Sequence, residues 1–238
     1  KHINAYLEAG EDIYVKGRNK PLCDVPVMTT GNRPADGGHL IIEAKDYEEF
    51  VQKEPNAKPF IKKFCGSKEF INRMPRYCLW LVNATNSEIR KMPRVMKRIE
   101  LCREARLKGA PDRQKLAETP TLFRETRNPS HFIIVPEVSS IRRKYIPMGF
   151  ENGDTIASNL LFIVPDGTLY HFGVLTANVH MAWVRVVCGY FGPSYRYSNK
   201  LAYNTFPWPH PTDKQKERIE KTAQGILNAR ANHPGDSL

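Results

Sequence analysis

The sequence predicts an α+β fold: a curved, mostly antiparallel sheet with inserted basic helices and a peripheral C-terminal helix. Three observations carry that prediction. Apolar residues recur at helical spacing through the middle of the chain, from Phe132 they fall into short runs separated by turn formers, and residues 213–231 return to an amphipathic helical pattern. With 238 residues, 41% of them hydrophobic, the chain can bury one sizeable core in one or two domains. Its longest apolar stretch, Leu160–Pro165, is strand-length, far short of the ~18 residues a membrane span needs. No apolar h-region follows the first residues, so no signal peptide is expected. The chain starts without Met in what reads as ordered sequence, as a fragment of a longer polypeptide would.

Element by element, residues 1–19 form a polar leading segment with one short strand or loop at Ile13-Tyr14-Val15. Pro21–Gly38 is rich in turn formers, and His39–Ile42 is a short strand candidate. Lys45–Glu54 is an acidic helix with Tyr47, Phe50 and Val51 on one face, punctuated by Pro55 and Pro59. Ile61–Cys65 and Tyr77–Val82 are the next strands. Asn86 or Ser87 caps a helix, and Pro93 opens a second that runs to about Leu107 on an apolar stripe of Met92, Val95, Met96, Ile99 and Cys102. Short strands follow at Phe132–Pro136, Lys144–Pro147, Ile156–Ser158, Leu160–Pro165 and Thr168–Phe172. Thr176 caps a helix to about Cys188 that buries Val179, Ala182, Trp183, Val186 and Val187, with Gly189 as a candidate stop. The last helix is entered through Phe206-Pro207-Trp208-Pro209. The expected division is 1–19, 20–209 and a helical tail at 210–238.

Charge separates the function classes. Lys and Arg outnumber Asp and Glu by 36 to 25, a net +11, and residues 85–145 alone hold 15 basic against 7 acidic side chains. Such a concentrated basic field suits a polyphosphate, because each cation near a phosphate releases a condensed counterion. The cations are mostly Arg, whose fork can grip phosphate or guanine through two bonds. A solvated surface and an anionic membrane are the alternatives. Arg90, Arg94, Lys97 and Arg98 share one helix face, which either lies along a phosphate backbone or faces water. Val138-Ser139-Ser140-Ile141-Arg142-Arg143-Lys144-Tyr145 and Tyr195-Arg196-Tyr197-Ser198-Asn199-Lys200 mix hydroxyls, cations and aromatics as a nucleic-acid reader does. Candidate backbone contacts are thus Ser139, Ser140, Arg142, Arg143, Lys144, Arg94, Arg98 and Lys200.

The same sequence nominates no catalytic and no metal residue. Cys23, Cys65, Cys78, Cys102 and Cys188 form no CxxC pair and read as reduced thiols of a cytoplasmic protein. Glu100 with Glu104 is a solvated helical pair, and there is no Walker loop, Gly-x-Ser-x-Gly or His-Glu-x-x-His. His171 and His180 lie in aromatic surroundings and read as core or interface histidines, with a general-base role as the rival.

Eight ordered strings carry a resemblance: Lys20–Pro26, Asp36–Leu40, Tyr77–Val82, Leu116–Pro120, Pro136–Ser140, Tyr145–Phe150, Thr168–Thr176 and Tyr203–Pro209. Together they resemble the target-recognition domain of MmeI-like (type IIL) restriction–modification methyltransferases, over roughly residues 20–209, with a tail similar to that family's C-terminal helical segment. The resemblance implies double-stranded DNA as partner. It also implies an upstream S-adenosylmethionine-dependent domain in cis, often with a nuclease domain, that methylates adenine at N6. It places the variable base-reading positions at Glu137, Asn159, Leu160, Gly192, Ser194 and Arg196. One departure matters. Gly192 brings no side chain to a position often polar or charged in the family. The chain also has neither the Asn/Asp-Pro-Pro-aromatic loop that holds a flipped base nor a glycine loop placed between a strand and a helix. A recognition domain without catalysis of its own is therefore expected. The rival is a basic protein-interaction module that docks the catalytic domain, which exposed apolar surface around Phe206–Pro209 would favour.

Overall fold

The computed structural model describes residues 2–4, 7, 9–12 and 14–238. The expectation for Ile13 lies outside the described residues. In chain order, β1 (Thr29–Thr30) and β2 (Ile41–Glu43) lead to α1 (Ala44–Lys53), and a 3₁₀ turn (Pro55–Phe60) brings in β3 (Ile61–Cys65). Then come α2 (Ser67–Asn72), β4 (Arg76–Leu79), α3 (Asn86–Arg90), α4 (Pro93–Leu107) and α5 (Pro111–Gln114), closed by a 3₁₀ turn (Lys115–Glu118). The second half runs through β5 (His131–Pro136), β6 (Val138–Ser140), β7 (Gly149–Asn152), β8 (Thr155–Ala157) and β9 (Leu161–Pro165) to α6 (Leu169–Leu175) and α7 (Asn178–Val187). A hairpin of β10 (Gly189–Tyr190) and β11 (Ser194–Arg196), a π-helical turn (Asn199–Tyr203) and α8 (Asp213–Ala231) complete it.

The expected single sheet is three small ones, antiparallel except at one strand pair. They order as β1-β9-β5-β7, β10-β11-β6 and β2-β4-β3-β8, with β8 parallel to β3. β5 and β9 explain why the chain's apolar runs are continuous and not alternating. Ile133, Val135, Phe162 and Val164 face the main core, while Phe132, Ile134, Leu161 and Ile163 face a second cluster against Phe70 and Ile71 of α2. A strand buried on both faces needs apolar residues at every position. A third cluster sits under α1 and α4, built on Leu40, Ile42, Leu79, Met92, Val95 and Cys102. α8 lies on the outside but docks Ile219 and Ala223 against α6, where Gly173 leaves room for them.

Several expectations need correction. Lys144–Pro147 is irregular chain, since Pro147 cannot donate to a ladder. Thr168–Phe172 is the start of α6. There Thr168 is the cap and its N–H donates to His171 Nδ1 at 3.1 Å, a capping box with His in place of Glu. Thr85, not Asn86 or Ser87, caps α3, with its N–H on the Glu88 carboxylate at 2.8 Å. Ala177 precedes α7, and the helix turns a different face inward than expected. His180, Met181, Val184 and Val187 are buried, while Val179, Ala182 and Val186 are exposed. Met96 also faces outward on α4.

His180 is a core residue with a measurable signature. It is buried beside Phe206, at a ring-centroid distance of 4.7 Å, and its Nε2 pairs with the Tyr197 hydroxyl at 3.0 Å. Desolvation holds its pKa down at about 3. The folded chain thus keeps His180 neutral where the unfolded chain, with an imidazole pKa of about 6.5, takes up a proton. Stability from this group is complete above that value and declines as pH falls toward 3, by about 2 kcal/mol at pH 5. Urea denaturation at pH 7 and pH 5 should show the loss in the wild type and a smaller one in His180→Gln. Equal losses in both would assign the pH dependence elsewhere.

Candidate nucleic-acid interface

Three segments distant in sequence meet at Glu137, between β5 and β6. Its N–H donates to the Leu160 carbonyl at 3.2 Å, its carbonyl accepts from the Tyr197 N–H at 2.7 Å, and its carboxylate takes Arg196 Nε at 3.1 Å. β11 lies on β6 with Ser194 opposite Ser140 and Arg196 opposite Val138, so Ser194 and Arg196 share one face. The Asn159-Leu160 loop is fixed from both sides. The Asn159 N–H donates to the Asn32 carbonyl at 3.0 Å, and Ser67 Oγ donates to the Leu160 carbonyl at 2.9 Å. Glu137, Asn159, Leu160, Ser194 and Arg196 therefore form one continuous edge. Gly192 is at the hairpin tip with φ +54° and open space around its Cα.

Beside this edge runs a cleft lined by Asp36, Ser67, Lys68, Arg76, Glu137 and Asn159. The sequence reading missed Ser67 and Lys68. Their only signal is Gly66-Ser67-Lys68-Glu69, a short helix start in which the Glu69 carboxylate accepts the Gly66 N–H at 2.9 Å. A second groove shares Gly38, Ile41 and Arg76 with this cleft and is flanked by Arg94, Lys97 and Arg98.

The candidate backbone contacts separate into free and committed groups. Arg94, Arg142, Lys144 and Lys200 are exposed, and the Ser140 hydroxyl accepts the Arg142 N–H at 3.2 Å. Ser139 is buried opposite Tyr195. Arg98 spends one guanidinium nitrogen on the His39 and Ile41 carbonyls, at 2.8 and 3.0 Å, and lies over the Phe50 ring. Arg143 Nε holds the Leu238 carbonyl at 2.9 Å. Arg185, not nominated from sequence, joins the free set's turn by donating to the Lys144 carbonyl at 3.3 Å.

Of the two histidines, His171 caps α6 and lies against Trp208, and His180 is interior. Four of the cysteines are buried, and desolvation raises their pKa values. Among the described residues no cluster of three or more His, Cys, Asp and Glu side chains could hold a metal ion, and no helix is long and apolar enough to cross a membrane.

Fold and site together define a binding domain: a rigid edge of mixed polar and charged side chains, set in a basic surface. The family described as MmeI, target recognition domain, matches residues 9–210, and the chain belongs to it. DNA methyltransferase A of Bacillus subtilis (strain 168) is 42% identical over 236 residues, 98% of this chain and 27% of that protein. The solved structure of the type IIL restriction–modification enzyme MmeI in complex with DNA superposes with a TM-score of 0.96 at 40% identity, over 100% of this chain and 32% of that one. The chain thus spans about a quarter to a third of the length of these relatives.

Proposed function

We propose that the chain is the double-stranded DNA recognition domain of a larger, cytoplasmic adenine-N6 DNA methyltransferase of the restriction–modification type, and that it reads bases without catalysing methyl transfer. The convergence of Glu137, Asn159, Leu160, Ser194 and Arg196 on one edge carries this reading, and the similarity to an enzyme solved with DNA supports it. S-adenosylmethionine would serve the rest of the parent. In this chain Gly37 and Gly38 precede β2, and Gly189 and Gly192 belong to the hairpin, so neither pair forms the strand-to-helix cradle that the donor needs. The domain is proposed to occupy residues 20–209, with 1–19 joining it to the upstream part and 210–238 as its helical tail.

Incubating the chain with random duplexes at low and moderate salt, then sequencing the bound fraction, tests the proposal. An enriched asymmetric motif is expected, and binding without enrichment at both salts would contradict base reading. Within that motif, Arg196→Ala should cost about 1–3 kcal/mol and relax one base position. Arg142→Ala should weaken every sequence alike and lower the salt slope by about one. Equal losses on all sequences for both variants would abolish the division into reader and phosphate contact.

One observation favours a protein-docking role beside this: the exposed stripe Val179, Ala182 and Val186 on α7. The segment expected to mark such a role does not, because Phe206 and Trp208 are buried.

A further inference from the structure

We propose that the tip of the β10–β11 hairpin is a wedge that enters the DNA duplex and packs the Phe191 ring on a base face at an opened base step, beside the bases addressed by Ser194 and Arg196. The inference rests on the DNA-reading assignment above and adds a contact of different chemistry.

Tyr190 and Phe191 are 60% and 66% exposed, unusual for adjacent aromatics in a chain whose other large rings mostly fill cores. The tip is held stiffly. Tyr190 leans on the buried Tyr195 with ring centroids 5.4 Å apart, and the Phe191 N–H donates to the Ser194 carbonyl at 2.8 Å across the turn. Gly192 takes φ +54°, and the Pro193 ring fixes a negative φ, the combination a type II′ hairpin turn requires. Residues paired across a hairpin point to the same face; Gly189 pairs with Arg196 and Tyr190 with Tyr195, which sets Phe191 opposite Ser194 and on the face of Ser194 and Arg196. Ile141, itself exposed, donates its N–H to the Pro193 carbonyl at 3.3 Å and buttresses the tip from below.

Charge around the tip identifies the occupant. Tyr190–Pro193 carry no charged side chain, so the tip has nothing with which to hold a phosphate. The cations lie on the segments that adjoin it: Arg142 and Lys144 follow Ile141, Arg185 reaches the Lys144 carbonyl, and Arg196, paired with Glu137, lies one pleat along β11. An apolar protrusion flanked by segments that carry cations complements a surface with apolar faces inside a charged rim, which is a base stack between two phosphate backbones. Apolar wedges enter such steps by partly unstacking them, and aromatic stacking on a freed base repays that cost.

The test uses the duplex the chain selects, with 2-aminopurine replacing each adenine of the site in turn. Wild-type binding is expected to raise 2-aminopurine fluorescence at one step, reporting its unstacking. Phe191→Ala should lose that rise and bind roughly ten-fold more weakly, with an unchanged salt slope and an unchanged melting temperature. Phe191→Trp should keep affinity, with its added indole emission quenched on binding, whereas Phe191→Leu should behave like the Ala variant. The wedge is overturned if wild-type binding leaves every 2-aminopurine quenched. It is also overturned if Phe191→Ala binds as the wild type does, which points the exposed tip toward a protein partner, or if Leu restores full affinity, which marks contact with a thymine methyl group in the groove. Each of those outcomes leaves duplex binding by the wild type intact. A wild type that binds no duplex removes the DNA-reading assignment and the wedge with it.

Discussion

Arg106→Ala should destabilise the chain by about 4–5 kcal/mol, the largest effect expected of any single substitution here. Arg106 lies on α4 with no exposed surface. All five of its N–H donors go to backbone carbonyls: Nε to Ala35 at 3.1 Å, Nη1 to Leu116 and Thr119 at 2.7 and 2.8 Å, and Nη2 to Pro34 and Leu122 at 2.9 and 2.6 Å. Truncation leaves those part-buried acceptors unmatched, and each such loss costs about 1–3 kcal/mol before relaxation or water entry reduces the sum. Against a typical domain stability of about 5–15 kcal/mol, the variant would be marginal at best. Arg106→Lys should recover little, since three donors on a flexible stem cannot reach five fixed carbonyls. Urea denaturation measures the change as a shift in midpoint at constant slope. A loss below about 1 kcal/mol would mean that water replaces the guanidinium without penalty. Pro34 and Asp36 line the cleft beside the proposed reading edge, so stability and the geometry of that edge should fail together.

Gly31→Ala should cost about 3 kcal/mol or more and also loosen the proposed reading edge. Gly31 lies where the chain passes from β1, paired with β9, to Asn32, which bridges Ser158 beside β8. A Cβ here would fall on the Ser158 carbonyl oxygen and 2.5 Å from that of Ala157. Both obstacles are backbone, so no side chain can rotate away, and overpacking of this kind costs about 1–3 kcal/mol even where neighbours can yield. Relief has to come from moving residues 157–159, which would break the Asn32 N–H to Ala157 carbonyl bond of 2.7 Å and the Asn159 N–H bond to Asn32. The expected result is a lower melting temperature together with weaker duplex selectivity at the positions that Asn159 and Leu160 are proposed to read. Full stability with full selectivity would show that the crossing has slack.

What the sequence made legible follows from how many signals agreed at each place. β3, α4 and α8 fall on Ile61–Cys65, Pro93–Leu107 and Asp213–Ala231, where the residue pattern and a proline at or just before the start point the same way. α6 did not, because Leu169-Tyr170-His171-Phe172 is a short run of bulky residues with no helical period and its cap uses His171 where Glu or Gln is the usual sign. α7 carries apolar residues all round, so periodicity alone cannot say which face turns inward, and the buried choice includes His180. β1, β6, β10 and β11 are two or three residues long, below what any period can mark. The candidate edge was legible only through family motifs. Its assembly depends on backbone bonds from Glu137 to Leu160 and Tyr197, between residues far apart in the chain. Arg106 shows the converse limit: it sits in the most basic stretch, yet its charge never reaches the surface.

The bond between Arg196 and Glu137 bears on how such an edge can acquire a new target. Before any duplex arrives the pair is neutral, and its guanidinium is already aimed, so little ordering cost remains for the encounter. Replacing Glu137 alone leaves an unbalanced cation that attracts every sequence more strongly. Replacing Arg196 alone leaves an anion that repels them all. A switch of preference at this position should therefore require both residues to change together, each single change being a less discriminating or weaker binder than either end point.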